Sequence, residues 1–136
     1  MTNTIVALAT PLGRSGIGVI RLSGDDSLKI VRQLIRDEIF NPEPRFAHLK
    51  RIYDLETADV LDEVLITFFK APHSFTGEDV IEISCHGSPI IFRQIIDFCL
   101  KLDARMAEAG EFSLRALRSE ERRVGKECRS RWSPYH

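Results

Sequence analysis

The sequence predicts an α+β domain, a mostly antiparallel sheet with helices on one face. Three observations predict it. Strand-like segments come in adjacent runs instead of alternating strictly with helices, and the order reads β, β, α, β, β, β, α, β, α. Two amphipathic helical stretches each carry one apolar stripe, which suits cover on a single sheet face. The 136 residues are 43% hydrophobic with a formal net charge of −1, enough for one real core and unlike a disordered chain.

The elements follow in order. Thr4–Ala9 is β-branched and stops at Thr10-Pro11-Leu12-Gly13. Ile17–Ser23 is a second strand, ended by Gly24. Asp25, Asp26 and Ser27 offer N-caps to a helix reaching about Arg36, with Leu28, Val31, Leu34 and Ile35 on one face. Asn41-Pro-Glu-Pro44 breaks the chain. Phe46–Asp54 and Asp62–Lys70 alternate as strands, the second with Val64, Ile66 and Phe68 opposite Leu65 and Phe69. Ala71–Gly77 is a loop and Asp79–Cys85 a strong strand. The clearest helix follows, with Ser88 at the cap and Pro89 at its first position, where the missing N–H costs nothing. Ile91, Ile95, Phe98 and Leu102 form its stripe, and Arg93, Gln94, Asp97 and Lys101 its wet face. A short strand at Ala104–Ala107 and a helix opening at Gly110-Glu111-Phe112 complete the pattern.

Composition narrows the function. Residues 1–117 hold 13 basic and 17 acidic side chains, residues 118–131 six and three. The body is mildly acidic, so a broad nucleic-acid surface is not indicated. No apolar run spans a bilayer and the N-terminal stretch lacks a secretory signal, so no membrane contact is expected. Cys85, Cys99 and Cys128 form no CxxC, and a reducing cytoplasm is the expectation. There is no P-loop. Gly13, Gly16 and Gly18 stand in the wrong order for a dinucleotide fingerprint and lie between two strands. His48, His73, His86 and His136 are too scattered for a metal site. Cys85 and His86 are neighbours that a strand turns to opposite faces, so Cys85 reads as a buried structural thiol. No catalytic residue is assigned.

From Ser119 the chain loses aliphatic content and periodicity. The expectation is a domain over residues 1–118 and a non-native basic tail over 119–136, not an RNA-binding arm.

Two charges break the apolar rule. Arg21 lies between Val19-Ile20 and Leu22, and Glu82 between Val80-Ile81 and Ile83. Each must face water or hold a partner, because an unpaired buried charge is very costly. Spacing alone leaves both readings open: an exposed or mutual ion pair, or a pair of binding groups. The nearby loop Ser74-Phe-Thr-Gly-Glu-Asp79 has the chemistry of a well-made turn, with Ser74 or Thr76 capping locally and Gly77 supplying a positive φ.

Five blocks in order then carry a resemblance: Thr4–Pro11, Gly13–Gly24 (GRSGIGVIRLSG), His73–Val80 (HSFTGEDV), Glu82–Gly87 (EISCHG) and Gly110–Ala116 (GEFSLRA). Over roughly residues 3–118 the chain resembles the N-terminal domain of the MnmE/TrmE family of tRNA-modifying GTPases. The resemblance implies a folate-binding domain, similar in fold to the tetrahydrofolate domain of the glycine-cleavage T-protein. It implies a homodimer that binds 5-formyl- or 5,10-methylene-tetrahydrofolate as a one-carbon source. In the full-length context it implies work with an MnmG-like flavoprotein on C5 of uridine 34 in tRNA, which this domain touches only indirectly. Matched by motif, Arg21 and Glu82 are the implied folate-binding residues.

Physical chemistry agrees with that transfer. A carboxylate accepts the pterin's ring N–H and exocyclic NH2 side by side, and a guanidinium suits folate's acceptors and carboxylates. The chain departs from the family pattern at Ser15, Ser88 and Ala109, where glycine, glycine and proline are usual. After Leu117 the family's folate-site lysine is replaced by the run Arg118-Ser-Glu-Glu. The GTPase domain, the helical domain and the catalytic cysteine of the family are likewise expected to be missing. The alternatives are a self-standing folate-dependent one-carbon transferase and a dimerisation module without ligand.

Overall fold

Alternating burial along the strands builds this molecule, and the computed structural model describes residues 3–9, 17–86 and 88–126. The strands are β1 (Ile5–Leu8), β2 (Gly18–Ser23), β3 (Ala47–Tyr53), β4 (Val60–Phe69), β5 (Val80–Cys85) and β6 (Arg105–Met106). The helices are α1 (Ser27–Leu34), α2 (Pro89–Lys101) and α3 (Glu111–Lys126). The strands form one sheet in the order β3-β4-β5-β2-β1-β6, antiparallel throughout except for the parallel β1–β6 pair. The α+β class is therefore as the sequence predicts. Among the described residues no helix is long and apolar enough to cross a membrane.

One face of the sheet carries the core. Val6, Ile20, Leu22, Val64, Ile66, Phe68, Ile81 and Ile83 point into it and meet Ile30, Val31 and Leu34 of α1 and Phe92, Ile95, Phe98 and Cys99 of α2. The inward set on β4 is the one its alternation predicts. On the helices the stripe is rotated from the expected one. Ile30 is buried where Leu28 is only partly so, and Phe92 and Cys99 lie deeper than Ile91 and Leu102. Both sets fit a period of 3.6, and only the sheet's position selects between them.

Helix ends show the same division of labour. Ser88 caps α2 as expected, its Oγ accepting from the Ile91 amide at 3.4 Å, with Pro89 at the first position. At α1 no side chain of the expected Asp-Asp-Ser run caps the helix. The Asp26 amide donates instead to Thr4 Oγ1 at 3.0 Å, a cap borrowed from the edge of β1. α1 also ends earlier than its sequence suggests, because Arg36 turns to φ 55. Gly24 (φ 138) makes the junction possible: a Cβ there would lie 2.6 Å from the Thr4 Cα.

The opposite face is covered only at one end. Ile5, Ser23 and Val80 share a register row on it and are buried, although Ile5 and Val80 lie outside the main core cluster. The loop after β4 and the start of α3 provide that cover. Of the residues expected to stand apart from the domain, 119–126 continue α3, and Ser119 is buried beside Gly77. Residues 127–136, and the glycine-rich turn read at 10–16, lie outside the described residues.

Candidate functional site

Arg21 and Glu82 stand directly opposite each other in the β2–β5 pairing, 61 residues apart in the chain. Because Ile20, Leu22, Ile81 and Ile83 point into the core, alternation turns both charges to the other face. There Arg21 Nε and Nη2 donate to Glu82 Oε2 at 3.0 and 2.8 Å. The side chains are 26% and 30% exposed, so the pair is neither dry nor fully solvated. The ion pair that the sequence left open does form. Both bonds fall on one carboxylate oxygen, and among the described residues Glu82 Oε1 accepts none. Two rings flank the guanidinium, Phe75 from the loop at 5.4 Å and Phe112 from the first turn of α3 at 5.7 Å.

Beside this pair lies a polar network that the sequence reading did not assemble. Arg115, only 10% exposed, donates through Nη1 to Glu78 Oε1 at 2.7 Å and through Nη2 to the Asn3 carbonyl at 2.8 Å. It also reaches Glu111 Oε2 at 3.2 Å, one turn earlier on α3. Ser23 Oγ donates to Glu78 Oε1 at 2.7 Å and sits 2.7 Å from Thr76 Oγ1. Glu111 in turn holds Arg105 in a two-pronged contact at 3.0 and 2.5 Å. Donation from Arg105 is the chief reason its carboxyl is pulled down to about 2. The loop is closed as expected: Ser74 Oγ donates to the Glu78 carbonyl, Thr76 Oγ1 accepts from the Glu78 amide, and Gly77 has φ 80. The only signal for Arg115, Glu78 and Phe75 in the sequence was their place in the quoted blocks. No periodicity reports contacts across a hundred residues.

Cys85 and His86 are kept apart. The Cys85 thiol is in the core, and burial, with Asp62 adding to it, pushes its pKa up to about 12. His86 is exposed and its amide donates to Asp62 Oδ2 at 3.1 Å. That thiol is no nucleophile.

A profile described as "GTP-binding protein TrmE N-terminus" matches residues 4–121. The chain belongs to the TrmE N-terminal family. It is 48% identical over 117 residues to the tRNA modification GTPase MnmE of Helicobacter pylori (strain ATCC 700392 / 26695), covering 86% of this chain and 24% of that protein. It is 49% identical over 116 residues to the tRNA modification GTPase MnmE of Xanthomonas oryzae pv. oryzae (strain PXO99A), covering 85% of this chain and 25% of that protein. The chain thus spans about a quarter of the length of these relatives. The TrmE_N match runs past Arg118 into the first turn of the segment that the sequence set apart.

Proposed function

We propose that this TrmE N-terminal domain binds a reduced folate bearing a one-carbon unit, 5-formyl- or 5,10-methylene-tetrahydrofolate, and pairs with a second copy of itself. In a longer protein it would serve tRNA modification at C5 of uridine 34, alongside an MnmG-like flavoprotein. One observation carries the folate reading. Glu82 keeps an unused carboxylate oxygen on an open sheet face, next to a guanidinium flanked by two aromatic rings. A pterin is a flat heteroaromatic ring with two adjacent N–H donors, and those are the groups such a site can hold. Glu82 would accept the donors, Arg21 would turn towards a ring acceptor or a carboxylate, and Phe75 and Phe112 would shield the ring from water. The bound folate supplies the one-carbon unit. The protein groups named here only bind and orient it.

The pairing reading rests on the same face farther out. Leu49 and Leu65 are register partners on β3 and β4, 62% and 38% exposed, and Ile17 is exposed at the head of β2. A symmetric contact would cover them. Light scattering at micromolar concentration should give about 31 kDa, twice the 15.5 kDa of the chain.

The ligand test is titration of 5-formyltetrahydrofolate by calorimetry or NMR into the millimolar range. Wild type should bind weakly, because α3 continues with Arg118, Glu120 and Glu121 where the resemblance places a lysine. Glu82→Ala should weaken binding about 10- to 150-fold, from about 1.5–3 kcal/mol for a charged hydrogen bond. Equal binding by wild type, Glu82→Ala and Arg21→Ala would make the pair purely structural.

A further inference from the structure

A second cleft, carrying two cationic side chains, lies at the far end of β4. It is an open cleft of about 370 Å³ lined by Pro44, Arg45, Lys70, Ala71 and His73. Arg45 precedes β3, where its amide donates to the Phe68 carbonyl at 2.8 Å. Its guanidinium stands 5.8 Å from the Phe69 ring centroid and donates to the His73 carbonyl at 3.4 Å. Among the described residues neither Arg45 nor Lys70 pairs with a carboxylate. Asp79, the acid bonded to this loop, is engaged by the Ala71 amide at 2.9 Å. In a body that carries more acidic than basic groups, two cations without a carboxylate partner and an imidazole in one cleft offer donors to an anion.

Its position says which anion. Phe68 is in the core, so Phe69 lies on the face that carries Glu82, and Thr67, two residues before it, is the register partner of Glu82. Two residues of strand and one strand spacing, with the Arg45 side chain added, put the guanidinium on the order of 10–15 Å from Glu82. A folate has that build: a pterin at one end, a flat aminobenzoyl spacer, then glutamyl carboxylates. The loop joins the two places, since Phe75 lies by Arg21 and His73 accepts from Arg45.

We propose that Arg45, Lys70 and His73 form a site for the carboxylates of a poly-γ-glutamyl tail, so that this domain selects folates by tail length as well as by pterin. The proposal rests on the folate reading above. Each added glutamate brings one more carboxylate to a solvent-open cation pair, so the gain is modest and sensitive to salt.

The experiment titrates the full chain with the mono- and triglutamate forms of 5-formyltetrahydrofolate, in wild type, Arg45→Gln, Lys70→Gln and Glu82→Ala. Wild type should hold the triglutamate about 5-fold tighter at low salt, with the advantage shrinking as salt rises. Arg45→Gln and Lys70→Gln should lose the advantage, weakening the triglutamate by more than the monoglutamate, whose own carboxylates reach the same cleft. Glu82→Ala should weaken both ligands and keep their ratio. Equal binding of the two forms by wild type overturns the tail site and leaves the folate reading standing. An advantage that survives in both glutamine variants also overturns it. Failure of wild type to bind either form overturns both. Lys70 is exposed at a strand end, so Lys70→Gln carries the test should Arg45→Gln disturb the fold.

Discussion

Replacing Arg115 by methionine keeps an unbranched stem of similar reach and removes every donor of the guanidinium. Four groups lose a bond: the Asn3 carbonyl, Glu78, Glu111 and, at 3.5 Å, the Ser23 carbonyl. They are not equally harmed. Glu111 retains both contacts to Arg105, and Glu78 retains Ser23 Oγ. The Asn3 carbonyl is on an exposed residue, where water can take the place of the lost donor. What remains uncompensated is the charge of a half-buried Glu78. An unsatisfied buried group costs about 1–3 kcal/mol, so the substitution should cost about 1–3 kcal/mol in all. For a domain of this size that lowers the thermal midpoint by about 5 °C or more. Calorimetry and urea unfolding followed by circular dichroism measure it, with an unchanged m-value as the check on two-state behaviour. A midpoint within about 2 °C of wild type would refute the reasoning, and α3 would then be a loosely attached helix. Arg115→Lys should fall between the two, because an ammonium cannot span Glu78 and Asn3 together.

Two further outcomes follow from the same end of the sheet. Gly24→Ala should cost about 2–4 kcal/mol, since its Cβ would meet Thr4 backbone at 2.6 Å and φ 138 is foreign to alanine; a midpoint unchanged in a melting curve would exclude that clash. Glu111 titrates near 2 in the folded chain against an ordinary value of 4.5, so its ionised form contributes stability that is whole above about 4.5 and drains away as pH falls towards 2. Urea midpoints taken across that window should fall more steeply for wild type than for Glu111→Gln, and parallel curves would show that Arg105 does not favour the charged carboxyl.

Several local features were legible in residue order. All nine elements of the described residues were, because alternation and helical period are properties of ten or so neighbouring residues. So was the cap at Ser88–Pro89, which is contained within four residues. So was the oddity of Arg21 and Glu82, since a charge inside an apolar run stands out wherever it folds. What only the tertiary structure decided is every relation between distant segments. The α1 cap comes from Thr4, 22 residues away, and the apolar stripes of α1 and α2 are set by where the sheet lies. The parallel seat of β6 beside β1 and the choice of an ion pair for Arg21 and Glu82 are likewise set by packing. Arg115 gathers Asn3 and Glu78 from 112 and 37 residues away. A hydrogen bond depends on distance in space and not on separation along the chain. Local pattern can therefore mark a residue as out of place, while only the folded sheet shows what it is facing.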